Sequence, residues 1–142
     1  MALKIIDHGT AEYEQMVKLR YEILRKPLGL GFTQEELDSE KGNLLMAAYE
    51  DDVMMGCCML VEEGAGTVRL RQMAVPDEYQ GKGIGRALMN FAENLARDRG
   101  YRTITMHARK AASGFYEKMG YKRIGDEFQE ITIPHIVMEK VL

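Results

Sequence analysis

The stretch from residue 67 to residue 107 limits the fold more than any other part of the sequence. Residues 67–75 alternate between polar and apolar side chains as a strand does, and Pro76 ends that alternation. Residues 83–99 then carry apolar side chains at helical spacing, and residues 102–107 favour a second strand. Because a helix that joins two strands of one sheet returns the chain in the same direction, this order predicts a parallel pair of strands.

The flanking segments add further strands and helices. Before the central unit, Thr10 is a good N-cap for an amphipathic helix that Pro27 ends, and Thr33 opens a short second helix. The expected elements are strands at residues 3–6, 44–49, 53–61, 121–125 and 136–141, and helices at residues 10–26, 33–40 and 111–118. We therefore expect an α/β (α+β) fold: a mixed, mostly antiparallel central sheet of six to seven strands with helices on both faces.

Length and composition predict one folded domain over residues 1–142. Hydrophobic residues make up 46% of the chain and charged residues 29%, proportions that exclude a disordered chain. No apolar run approaches the roughly 20 residues that span a bilayer, and residues 1–7 lack the pattern of a signal peptide. The adjacent Cys57 and Cys58 suit neither a framework disulfide nor a zinc site. We expect a cytoplasmic protein with reduced thiols, no bound metal and no membrane partner.

Charge is distributed unevenly along the chain, although the net charge is only −3. Residues 66–123 hold twelve Lys or Arg against five Asp or Glu, and the segments on either side are acidic. An anionic ligand held by the middle and a cationic partner met by the ends would produce this pattern, and so would solvated surface charge alone. Nucleic acid is not an expected partner, because the basic segment lacks interleaved aromatic side chains and the whole chain is acidic.

The turn Gln80-Gly81-Lys82-Gly83-Ile84-Gly85-Arg86 lies between the end of a strand and the start of a helix. The first backbone N–H groups of a helix lack partners, so a turn without side chains lets a phosphate approach them. Lys82 and Arg86 can neutralise the phosphate charge. A Walker loop is disfavoured because glycine rather than Ser or Thr follows Lys82, and the dinucleotide fingerprint fails at its third glycine.

Two motifs resemble the core of the GCN5-related N-acetyltransferase (GNAT) superfamily. The first is Gln80-x-x-Gly83-x-Gly85 after a strand, and the second is Phe115-Tyr116-Glu117-Lys118-Met119-Gly120-Tyr121. Residues 19–25 and the tail at residues 125–136 are similar to the bacterial branch that includes the ElaA-like proteins. The resemblance implies a GNAT-like acyl-CoA acyltransferase fold, acetyl-coenzyme A as cosubstrate, and a primary amine of a small molecule or peptide as acceptor. It is compatible with either a monomer or a homodimer.

The resemblance also implies roles for particular residues. The backbone at the end of the fourth strand would pair with the pantetheine arm and polarise the thioester, and the turn would hold the pyrophosphate. Tyr116 would be the general acid, because a phenol can donate its proton to the departing thiolate. The expected coenzyme-binding residues are Met73, Ala74, Val75, Gln80, Gly81, Lys82, Gly83, Ile84, Gly85, Arg86 and Tyr116.

The general base is the least defined role. The fourth strand offers Arg69, Arg71 and Gln72 but no glutamate, so the candidates are His107, Glu127, Glu130 and His135 near neighbouring strand ends. Many relatives carry asparagine at the position of Arg109, and no coenzyme contact is assigned to that arginine. The alternative function is a non-catalytic module of the same fold that senses acyl-coenzyme A without turnover.

Overall fold

A single seven-stranded sheet organises the protein, whose computed structural model describes residues 1–142. The strand order is β1-β2-β3-β4-β5-β7-β6, and every neighbouring pair is antiparallel except β4 and β5, which are parallel as the sequence predicts. The strands are β1 (Ala2–Ile6), β2 (Leu44–Glu50), β3 (Val53–Gly64), β4 (Thr67–Ala74), β5 (Thr103–Arg109), β6 (Lys122–Glu130) and β7 (Ile133–Val141).

Four α-helices flank the sheet: α1 (Ala11–Arg20), α2 (Gln34–Asp38), α3 (Ile84–Asp98) and α4 (Ser113–Lys118). The hydroxyls of Thr10 and Thr33 accept hydrogen bonds from the first turns of α1 and α2, as their cap positions predict. The first helix differs from the expected one. Beyond Arg20 it widens into a π-helical turn and then tightens into a 3₁₀ turn at Lys26–Leu28, because Pro27 cannot donate a helical hydrogen bond. None of the helices combines the length and apolar character of a bilayer-spanning segment.

The sheet separates two apolar cores. On the face covered by α3 and α4, residues such as Leu60 and Met106 pack against Leu88. On the opposite face, which we call the α1 face, Met59 packs with Met16 of α1. Both cysteines are buried free thiols that fill these cores, one on each face.

The parallel strands β4 and β5 separate halfway along their length. They pair from Thr67 and Thr103 only as far as Leu70 and Met106; beyond that point β4 stays paired with β3, and β5 with β7. A β-bulge at Gln72, whose φ is +58°, bends β4 away. A cleft therefore opens between two strands in the middle of the sheet.

The β6–β7 hairpin is longer than the sequence predicts. Its strands meet at a two-residue turn, Ile131-Thr132, whose φ angles are both positive at +46° and +63°. Turns of this kind normally use Asn-Gly or Asp-Gly, because β-branched residues rarely adopt positive φ. The sequence therefore carries no recognisable turn signal here, and the hairpin end, including Glu130, was not predicted as strand.

Candidate active site

The cleft between β4 and β5 forms a cavity of about 1190 Å³ that crosses the sheet. Most of the predicted coenzyme residues line it, and so do His107, Glu130 and His135. Side chains alternate along a strand, so Arg69, Arg71, His107 and Arg109 face α1, whereas Leu70 and Met106 face α3. The predicted residues lining the cavity are Met73, Val75, Gln80, Gly81, Gly83, Ile84, Gly85, Arg86 and Tyr116; Ala74 and Lys82 do not line it.

The glycine turn presents unpaired amides at the start of α3. Gly83 is the N-cap residue and has no side chain, so no cap accepts from the first amides of the helix. Gly81 and Gly83 have φ angles of +77° and +81°, which other residues rarely adopt. At Gly85 a Cβ atom would lie 3.2 Å from the ring of Phe115. Gly81 and Gly83 leave room for a phosphate at the helix end, and Gly85 leaves room for the Phe115 ring.

Gln80 connects the turn to the end of β4. Its side-chain amide donates to the Val75 carbonyl at 3.0 Å and to Asp77 at 3.3 Å. The residues that do not line the cavity lie elsewhere: the Ala74 side chain is buried in the α1-face core, and the Lys82 ammonium lies 5.8 Å from the centroid of the Tyr79 ring.

Tyr116 lies on α4 and is 6% exposed, with its ring edge-on to Phe115 and Tyr121. Burial raises the pKa of its phenol well above the ordinary value, and the buried Cys58 thiol adds to the shift. A phenol with a raised pKa keeps its proton at neutral pH. Tyr116 is therefore both a core residue and a cavity residue.

Four polar side chains form a connected cluster on the α1 face of the cleft. The His107 Nδ1 atom lies 2.9 Å from Oε1 of Glu130 and 3.0 Å from Nη2 of Arg69. His135 is buried, its Nδ1 lies 2.7 Å from the Ile133 carbonyl oxygen, and its Nε2 lies 3.7 Å from Glu130. Four strands, β4 to β7, thus contribute to one polar group.

Charge within this cluster is set by Glu130. Burial acts to raise the pKa of its carboxyl, but the hydrogen bond from His107 and the electrostatic interactions with His107, His135 and Arg69 outweigh burial and lower it. Glu130 is therefore an ionised acceptor. Two groups compete for the His107 Nδ1 atom: the Glu130 carboxylate accepts a hydrogen bond when Nδ1 is protonated, whereas the Arg69 guanidinium can only donate to the Nδ1 lone pair.

Two other predicted positions lie outside this cluster. Glu127 forms an ion pair with Lys110 at 2.8 Å, and its side chain does not line the cavity. Arg109 does line the cavity, and its Nη2 donates to the Leu24 carbonyl at 3.4 Å.

One buried group was missed by the sequence analysis. Arg20 is fully buried and binds Glu40 through two hydrogen bonds of 2.8 Å, and the Tyr13 hydroxyl donates to the same carboxylate at 2.7 Å. Arg20 occupies a position on the apolar face of α1. A charged residue at an apolar position is the only sequence signal that could have indicated this buried ion pair. The group ties α1 to the segment after α2 and so supports one wall of the cleft.

The fold and the cleft define the class of protein. The protein has an acyl-coenzyme A N-acyltransferase fold, in which two parallel strands separate beside an uncapped helix N-terminus. An aminoglycoside 6′-N-acetyltransferase complexed with coenzyme A superposes with a TM-score of 0.83 at 20% identity, over 99% of this chain and 97% of that one. Escherichia coli ElaA shares the fold, with a TM-score of 0.82 at 14% identity over 98% of both chains.

The chain belongs to the GNAT acetyltransferase family, because the acetyltransferase (GNAT) domain model matches residues 12–142. The uncharacterized N-acetyltransferase YitI of Bacillus subtilis strain 168 is 26% identical over 97% of both sequences. A Lactobacillus plantarum protein assigned as an N-acetyltransferase has a TM-score of 0.87 at 25% identity, over 100% of this chain and 99% of that one. The expected family, fold and enzyme class are confirmed.

Proposed function

We propose that the protein transfers an acetyl group from acetyl-coenzyme A to a primary amine that enters from the α1 face. The observation that carries this proposal is the cavity itself, which runs from unpaired helix amides on one side of the sheet to the His107–Glu130 pair on the other. In this proposal acetyl-coenzyme A binds at the end of the cavity with the helix amides, and His107 accepts a proton at the other end.

The residues around the turn suit coenzyme A. Amides of Ile84, Gly85 and Arg86 and the Arg86 side chain would hold its phosphates, and the backbone from Met73 to Val75 has no β5 partner on the cleft side. Bound acetyl-coenzyme A supplies an activated acyl thioester. An unpaired amide at this edge of β4 is placed to polarise a carbonyl, as an oxyanion hole does.

Tyr116 is the proposed general acid. Its side chain lines the cavity on the side of α4, and its phenol is protonated at neutral pH. The raised pKa makes this phenol a weaker acid, so the role rests on its position in the cavity. A protonated donor at this point can neutralise a departing thiolate.

His107 is the proposed general base. In the proposed mechanism the Nδ1–H group of His107 donates a hydrogen bond to Glu130, and the Nε2 lone pair takes a proton from the attacking amine. His135 is less suited, because it is buried and its Nδ1 atom is bonded to a backbone carbonyl oxygen. Glu127 is engaged by Lys110 outside the cavity.

The test is a screen of primary amines with acetyl-coenzyme A, in which coenzyme A release and the mass of the product are both measured. Acetylated amine formed in step with released coenzyme A is expected. Tight coenzyme binding without transfer to any amine would contradict the proposal and favour the sensor alternative.

A further inference from the structure

The charges that line the cavity are unequally divided. Five arginines and one lysine line it, and Glu130 is its only carboxylate. Arg86 and Lys118 lie on the side of α3 and α4, where coenzyme phosphates would neutralise them. The remaining arginines are Arg25, Arg69, Arg71 and Arg109, and they surround the end of the cavity that opens on the α1 face.

Two of these arginines have no carboxylate partner. Arg71 forms no ion pair, and Arg109 contacts only the Leu24 carbonyl at 3.4 Å. Arg71 interacts electrostatically with the Glu40 carboxylate, but Arg20 already donates hydrogen bonds to both oxygens of that carboxylate. The guanidinium groups of Arg71 and Arg109 are therefore available to a ligand.

Arg69 is incompletely satisfied as well. Its Nε atom is buried without a hydrogen-bond partner, and Glu63 lies 3.9 Å from its Nη1. Burial lowers the pKa of Arg69 and the neighbouring positive charge of Arg71 lowers it further, and together they outweigh the opposing effects of Glu130 and Glu63. A guanidinium stays protonated nonetheless, and an added anion would relieve this repulsion.

No carboxylate remains to bind a cationic group in the same space. Both oxygens of Glu130 face histidines, Oε1 facing His107 and Oε2 facing His135. The acidic residues of α2 and the turn after it do not line the cavity. A polycationic acceptor would therefore meet four arginines without a free counter-charge.

We propose that the acceptor is an amine tethered to an oxyanion, either a carboxylate or a phosphate, and that Arg71 and Arg109 bind this oxyanion while the amine faces His107. Guanidinium groups match the planar geometry of such oxyanions and bind them through paired hydrogen bonds. The inference rests on the proposed acetyl transfer and names the substrate class for it.

Four amines of similar length test the inference with acetyl-coenzyme A: 3-aminopropanoate, 2-aminoethyl phosphate, 3-aminopropanamide and 1,3-diaminopropane. A carboxylate or phosphate acceptor should exceed the amide in kcat/KM by about tenfold or more, the value of one charge-assisted hydrogen bond. The diamine should be the poorest. The better of the two oxyanion substrates shows whether the acceptor carries a carboxylate or a phosphate.

Variants assign the effect to the arginines. Arg71→Gln and Arg109→Gln should each remove most of the preference by raising KM, with kcat largely kept. Arg99→Gln, an exposed position at the end of α3, should retain the preference. Equal or faster acetylation of the amide or the diamine by the unmodified protein would overturn the inference.

Calorimetry separates this inference from the proposed function. Each amine is titrated into the protein saturated with coenzyme A, a measurement that needs no turnover. Preferential binding of the oxyanion amines without acetyl transfer would support the binding inference and refute the transferase. Equal binding of all four amines would overturn the inference even if transfer occurs.

Discussion

The Nδ1 atom of His107 on β5 lies 2.9 Å from the Oε1 atom of Glu130 on β6, although β7 lies between these two strands in the sheet. The contact is made on the α1 face, where β5 extends past the point at which β4 leaves it. Residues 107 and 130 are distant in sequence, and the hairpin turn at residues 131–132 brings them together.

The first prediction concerns this pair. His107→Gln should lower kcat about a hundredfold, because general base catalysis is worth about 10² to 10⁴. Glu130→Gln should cost less, about tenfold, because it removes only the orienting acceptor. A larger loss in Glu127→Gln than in His107→Gln would contradict the assignment.

The second prediction concerns Tyr116 as general acid. Tyr116→Phe removes one hydroxyl and should lower kcat at least about tenfold, while coenzyme affinity stays within a few-fold. Tyr101→Phe is the matched control, since Tyr101 also packs against the core but does not line the cavity. Kinetics and melting curves on both variants separate chemistry from packing. A near-native kcat in Tyr116→Phe would remove the catalytic role.

The third prediction concerns the glycine turn. Gly83→Val should abolish most coenzyme A binding measured by calorimetry, because a side chain at the N-cap obstructs the phosphate and strains a φ of +81°. Gly100→Val is a matched control: its φ is +85°, and a Cβ there also meets no atom within 4 Å. Both variants should lose similar stability, about 1 to 2 kcal/mol or more. Unchanged affinity in a folded Gly83→Val would contradict the phosphate site.

The fourth prediction concerns the buried Arg20–Glu40 pair. Glu40→Gln should lower the free energy of unfolding by about 3 to 5 kcal/mol, because it leaves a buried guanidinium without its counter-charge. Glu36→Gln, whose exposed carboxylate lies 3.7 Å from Arg25, should change it by less than about 1 kcal/mol. Denaturant titration measures both. Similar losses in the two variants would show that the pair contributes nothing beyond a surface interaction.

Acid should affect Glu40 in a defined direction. Burial raises the pKa of its carboxyl, but hydrogen bonds from Arg20 and Tyr13 and the charges of Arg20 and Arg71 outweigh burial and lower it. A lowered pKa in the folded state means that Glu40 stabilises the fold above its unfolded value of about 4.3 and that this contribution is lost as pH falls further. Glu40→Gln should therefore show a flatter acid side of its stability curve.

Much of the fold follows from the sequence because it depends on local patterns. The alternation at residues 67–75, the helical spacing at residues 83–99 and the glycines between them are enough to predict β4, α3 and their parallel neighbour β5. Helix caps at Thr10 and Thr33 are equally local, since a hydroxyl meets an amide three residues away. The glycine turn at the start of α3 was predictable for the same reason, because residues 80–86 form one continuous segment.

The α1 face of the site was decided by tertiary structure. Candidate bases could be named from sequence, but no local signal placed His107 against Glu130 or Glu127 against Lys110, because their geometry depends on a hairpin whose turn residues, Ile131 and Thr132, are atypical. Packing between distant segments likewise buries the ion pair between Arg20 and Glu40. It also brings arginines from three separate segments together around the end of the cavity on the α1 face. Local sequence determined where the glycine turn leaves helix amides unpaired; only packing between distant strands decided which charges surround the opening on the α1 face.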